Sequence, residues 1–147
     1  MRYYILGFFF LFPILLFAQN IPKGTNAIIV KGVIFENVIN NILDQGFQID
    51  EIDKDFHTAK TKFKKTNNKE YPYTLQLSFY IRVKDSSAII IGEYILGENY
   101  VKEEGLYRAK IENIGPQKNW NEKYQAFLEM VKIAESLTGI SIDYKKQ

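Results

Sequence analysis

The residues of this chain best suited to chemistry fall within one stretch, DQGFQIDEIDKDFHTAKTKFKK, from Asp44 to Lys65. It carries the sole histidine, His57, with Asp53 and Asp55 preceding it at two-residue steps. Donors spaced i, i+2, i+4 share one face of a strand, so Asp53, Asp55 and His57 could ligate a divalent cation. An imidazole beside an acid could also serve as a general base. The metal reading requires a strand unbroken from Asp50 past Thr58. A general base needs a nucleophile or second acid, which the adjacent sequence does not supply. Aspartate also bonds its own backbone in turns, and that turn chemistry accounts for the same residues.

Beyond the histidine come Lys60, Lys62, Lys64, Lys65 and Lys69. Read as one strand face, they form a basic stripe suited to anionic lipid head groups or acidic glycans, or a charged edge that discourages edge-to-edge aggregation. Tyr80, next to Arg82 on the polar phase of a long alternating run, is the best placed aromatic for recognition at the surface. Phosphate-binding glycine loops, paired-cysteine metal sites, a Gly-x-Ser-x-Gly elbow and a His-Glu-x-x-His helix are absent from the sequence. No cofactor is expected, and the reading favours a protein that is not an enzyme.

These residues depend on the elements around them. NAIIVKG, Asn26 to Gly32, reads as a short strand. IFENVINNILDQGF places Ile34, Phe35, Val38, Ile42 and Leu43 at helical spacing, with Gly46 as the stop and Phe47 folding back on Ile42. After Gly46 the period becomes two. Phe47 and Ile49 point inward on one strand, and Ala59, Thr61 and Phe63 on the next. Keeping both sets on one face requires an odd loop, either Lys54 to Phe56 or Asp53 to Asp55, which sets Asp53 or Glu51 opposite His57.

The clearest periodicity follows. Tyr71, Tyr73, Leu75, Leu77, Phe79, Ile81 and Val83 alternate with Thr74, Gln76, Ser78, Tyr80 and Arg82, and Pro72 near the start marks an edge or a frayed beginning. Asp85 to Ser87 turns the chain into AIIIGEYILG, where Gly92 suits a bulge. GLYRAKIEN turns Tyr107, Ala109 and Ile111 inward and Arg108, Lys110 and Glu112 outward. A final helix carries Trp120, Tyr124, Phe127, Leu128, Val131 and Ala134 on one stripe, with Asn119 and Glu122 as a capping box and Gly139 as its stop. The tail ISIDYKKQ alternates weakly and is a candidate short strand. Strands with one apolar face need a cover, and two amphipathic helices provide it. The expected fold is an α+β two-layer sandwich, a mostly antiparallel meander sheet with two helices packed on one face.

The ends and the composition bound the setting. MRYYILGFFFLFPILLFAQN has a positive start, an apolar run and Ala18 before polar residues, the layout of a secretory signal peptide over 1–18. The remaining 19–147 suffice for one domain. Without Arg2 the chain has 18 basic and 17 acidic residues, a net charge of +1 that gives no basic footprint for nucleic acid. With no cysteine, neither disulfides nor a lipidated anchor can form, so no stable membrane anchor is expected after cleavage. No Asn-x-Ser/Thr triplet occurs. The expected location is the periplasm or the exterior of a bacterial-type cell.

From FENVINNILDQGFQIDEIDKDFHTAKT, the order of helix, Gly-aromatic stop, alternating strand, Asp-containing turn and second strand resembles the repeated domains of the lipoprotein component of the bacterial outer-membrane barrel-assembly machinery. The resemblance covers Phe35 to about Thr61 and departs from that family in lacking the lipidated cysteine. It implies a helix-on-sheet envelope domain and transfers no functional residue. The sequence thus points to an exported, non-enzymatic module that binds a protein or a cell-envelope component through a sheet edge or the face around Tyr80 and Arg82. The alternative is a secreted inhibitor or immunity-type protein directed at an enzyme.

Overall fold

In a computed structural model of the chain, described over residues 21–66, 74–97, 101–102, 105–106, 108–116 and 121–147, β1 (Ala27–Lys31) leads into α1 (Phe35–Asp44) and then to β2 (Ile49–Asp53), β3 (Thr58–Thr61) and β4 (Lys64–Lys65). Two long strands follow, β5 (Leu75–Lys84) and β6 (Ser87–Leu96), then the short β7 (Val101–Lys102), β8 (Gly105–Leu106) and β9 (Arg108–Lys110), α2 (Glu122–Ser136) and β10 (Ser141–Lys145). Residues 1–20, which include the expected signal peptide, as well as Asn67 to Tyr73, Tyr107, Asn119 and Trp120 lie outside the described residues.

The expected α+β sandwich is what the chain forms. Among the described residues, eight strands make one antiparallel sheet in the order β10-β1-β6-β5-β3-β2, with β4 extending β3's place along β5 and β9 following β1 along β6. The meander covers β2, β3, β5 and β6 only. β1 inserts between β6 and β10, so the first strand of the fold lies inside the sheet and the tail strand forms an edge.

One face carries the core. Ile28, Val30, Leu75, Leu77, Phe79, Ile81, Val83, Ala88, Ile90 and Tyr94 pack there against Phe35, Val38, Ile39 and Ile42 of α1 and Phe127, Met130, Val131, Ile133 and Ala134 of α2. Each fully buried aliphatic or aromatic side chain contributes about 1.5–3 kcal/mol. The apolar stripe of α1 differs from the expected one by a small rotation: Ile39 is buried, while Ile34 caps the helix and Leu43 turns to solvent. The helices are clasped by a polar bridge in which Asn41 Nδ2 donates to the Ser136 carbonyl (3.0 Å) and the Ser136 hydroxyl donates to Asn41 Oδ1 (2.9 Å).

Local chemistry sets the boundaries. Gly46, at φ +80°, closes α1: its N–H donates to the Leu43 carbonyl and that of Phe47 to the Ile42 carbonyl, the paired bonds of a left-handed helix stop. Asn121, rather than Asn119, caps α2, its side chain accepting from the N–H groups of Lys123 and Tyr124. α2 ends at Ser136, before Gly139, whose hydrogen lies where a Cβ would stand 2.5 Å from Val30 Cγ1. Gly92 forms no bulge. The β5–β6 register runs unbroken through Phe79↔Gly92, and the glycine gives room to Ile111 and Phe79 on the core side.

A candidate binding site on the helix-free face

Both helices lie on one side, and among the described residues no helix covers the other. Antiparallel registers align its side chains in rows. One row runs Lys145, Ala27, Ile91, Tyr80, Lys60, Glu51 across β10, β1, β6, β5, β3 and β2. The next runs Asp143, Ile29, Ile89, Arg82, Thr58, Asp53. The middle of this face is therefore aliphatic and aromatic, and charged groups stand on either side.

A concavity of about 450 Å³ opens over the first row where β6 exchanges β1 for β9 as its neighbour. Ile91 and Tyr80 line it, with Lys60, Glu51, Ser78, Glu93, Arg108, Lys110, Asn26 and Gln147 around them. Two local breaks shape it. On one side, β3 leaves β5 after Lys60, and side chains replace the lost ladder: Phe79 N–H donates to Thr61 Oγ1 (2.9 Å) and the Ser78 hydroxyl to the Thr61 carbonyl (2.6 Å). That bond explains why Ser78, on the open face, is buried. On the other side, the Ile111 N–H donates to the Gly92 carbonyl (2.9 Å), and Asn113 exchanges backbone bonds with Gly24 and Thr25, splicing the chain after β9 to the lead-in of β1.

The charges in the concavity are not all neutralised. Arg108 pairs with Glu93, and its guanidinium lies 5.4 Å from the centre of the Phe63 ring. Lys60, Lys110 and the neighbouring Arg82 have no ion-pair partner among the described residues. Tyr80 exposes 43% of its surface there.

The residues singled out from sequence are distributed differently than expected. Tyr80, Arg82 and Lys60 meet on the open face. Lys62 is exposed just past β3, its N–H donating to the Gln48 carbonyl. Lys64 has crossed to the helix side, opposite Leu77, where its ammonium bonds the Gln45 carbonyl at the end of α1 and sits 4.6 Å over the Phe47 ring. The single-faced lysine stripe is thus broken at Lys62–Phe63, where the strand is interrupted and the phase of two is lost. The same break removes Phe63 from the core and sets it against Arg108.

The Asp53, Asp55, His57 cluster resolves into turn chemistry. Residues 54–57 form a four-residue turn between Asp53 and Thr58, not a three-residue one. The parity this demands is restored by a one-residue register shift between Ile49 and Glu51, so Ile52 and Ala59 share the core side near the turn while Ile49 pairs with Thr61 beyond it. Asp53 thus faces Thr58, and neither Asp53 nor Glu51 opposes His57. Asp53 Oδ1 accepts from the N–H groups of Asp55 and Phe56, both at 3.0 Å. His57 takes a left-handed φ of +49°, sets its ring 5.3 Å from the Phe35 ring at a 40° tilt and accepts the Val83 N–H at its carbonyl. Among the described residues, no three His, Asp or Glu side chains gather as metal ligands.

Lys110, Arg108, Glu93, Asn26 and Gln147 were not singled out as site residues from sequence. Alternation does place Arg108 and Lys110 outward, but only the β6–β9 register brings them beside Tyr80. No family model and no curated protein matches the chain. Among the described residues, no helix is long and apolar enough to cross a membrane.

Proposed function

We propose that the protein is an exported, non-enzymatic binding module that takes a protein or cell-envelope component on the helix-free face of its sheet. The observation that carries this reading is the concavity around Tyr80 and Ile91, where an exposed ring and an aliphatic floor are edged by cations that lack partners among the described residues. A concave, largely apolar surface with a few convergent polar groups is the usual form of a binding site. The signal-peptide layout of 1–18 supports the assignment to the periplasm or exterior.

Site-directed photo-crosslinking tests it. A photo-reactive residue at Arg82, on the open face, should crosslink to one component of the envelope fraction of the cell of origin. The same residue at Glu36, exposed on α1, should not. Equal labelling from both positions, or none from position 82, would refute the reading.

A further inference from the structure

The geometry points to an acidic saccharide of the cell's own envelope as the ligand of the open-face concavity, an inference that rests on the binding-face reading above. The lining is not that of a simple anion site, because Glu51 and Glu93 stand in it beside Lys60, Arg108 and Lys110. A bare carboxylate or phosphate would engage the lysines and leave Glu51 without a partner. A hydroxylated ligand uses the acids, since carboxylates and the side-chain amide of Gln147 accept or exchange hydrogen bonds with alcohols, the Asn26 side chain holding the Gln147 backbone in place.

The floor selects further. Tyr80 and Ile91 are directly opposed across β5 and β6, giving a flat apolar platform for the C–H face of a sugar ring. Lys60 lies one strand beyond Tyr80, and Lys110 lies one strand beyond Glu93 on the far side. Across the strands the two ammonium groups are rooted three spacings apart, about 14 Å at about 4.8 Å per strand. Arg108 is occupied by Glu93, whereas Lys60 and Lys110 have no ion-pair partner among the described residues. A chain of sugar units bearing carboxylates satisfies the cations, the acids and the apolar floor together. An anionic lipid leaves Glu51 unmatched, and a neutral glycan leaves both ammonium groups unused.

Nuclear magnetic resonance titration with digalacturonate, against neutral digalactose, tests the inference. Digalacturonate should shift the amides of Tyr80, Ile91, Lys60 and Lys110 at about millimolar concentration, and the neutral disaccharide should bind about tenfold more weakly, the value of one charge-assisted hydrogen bond. Lys60→Ala or Lys110→Ala should remove the preference for the acid, and Tyr80→Ala should abolish both interactions. Soluble saccharides released from the cell's envelope should displace digalacturonate. Absence of shifts, equal affinity for the two disaccharides, indifference to Tyr80→Ala, or no displacement by envelope saccharides would each overturn it. If digalacturonate does not bind while position 82 still crosslinks to the envelope, the saccharide inference falls and the binding-face reading stands. If both fail, both fall.

Discussion

Gly92→Ala probes the floor of the concavity and the core beneath it together. A Cβ built there stands 2.6 Å from Ile111 Cδ1 and 3.0 and 3.1 Å from two Phe79 ring atoms. Both neighbours are fully buried, so neither can swing into solvent. Without that clash, Ala in place of Gly would stabilise by about 0.4–1 kcal/mol, because it restricts the unfolded chain. Overpacking a close-packed core costs about 1–3 kcal/mol, which reverses the sign and leaves a net loss near 1–2 kcal/mol. The closest atom is one methyl. Ile111→Val deletes it, costing about 0.5–1.5 kcal/mol alone through the small cavity left. The double variant should therefore be more stable than the sum of the single losses, by a coupling of about 0.5–1 kcal/mol, the remainder being held by Phe79. Urea unfolding of the four proteins measures this directly, with the slope serving to check that the unfolded state is unchanged. Strictly additive losses, or a Gly92→Ala variant as stable as the parent, would show that the glycine is not required by packing against Ile111.

Three further outcomes follow from single contacts. Gly46→Ala should cost about 1 kcal/mol, since φ +80° is strained for a residue with a Cβ, and thermal unfolding should show Gly46→Asn losing less because asparagine tolerates that region. Ser78→Ala should cost about 1–3 kcal/mol by removing the hydroxyl that donates to the Thr61 carbonyl in a buried setting, with faster hydrogen exchange at Phe79 as the local sign. Burial, aided by the negative charge of Glu135, raises the Tyr144 phenol above its usual value. The unfolded chain then ionises this group first, so the stability it lends is intact below about pH 10 and is lost as pH rises through the folded value. Urea midpoints of Tyr144→Phe should fall less steeply than the parent's as pH rises above about 10, and parallel curves would contradict the assignment.

Much of the fold was legible because short-range periodicity carries it. The alternation of Leu75 to Val83 predicts which side of β5 is buried, since side chains of an extended strand must point to opposite faces. The Gly46–Phe47 pair marks the end of α1 because few residues accept a left-handed φ. Strand parity breaks where the backbone departs from ideal pairing. One unpaired residue between Ile49 and Glu51 corrected the phase, allowing an even turn after Asp53. A break at Lys62–Phe63 sent Lys64 to the helix side, where the carbonyl end of α1 and the Phe47 ring hold its ammonium.

The candidate site was legible only in part. Tyr80, Arg82 and Lys60 could be assigned to a solvent face from alternation. Their meeting with Ile91, Glu93 and Lys110 depends on which strands are neighbours, a long-range property. The placement of β1 between β6 and β10, and of β9 beyond β1 along the same edge, creates the junction where the concavity opens. No local pattern encodes that order.

The most direct test compares two truncations of nearly equal exposure on opposite faces. Tyr80 is 43% exposed on the open side and Leu43 is 46% exposed on the helix side, so neither should alter the fold much. Binding of the purified protein to the envelope fraction of the cell of origin is measured for Tyr80→Ala and Leu43→Ala, with thermal unfolding as the control. Binding through the open face predicts a loss of about tenfold or more for Tyr80→Ala, as for a central aromatic anchor, and none for Leu43→Ala. Unchanged binding in Tyr80→Ala, or an equal loss in Leu43→Ala, would contradict it.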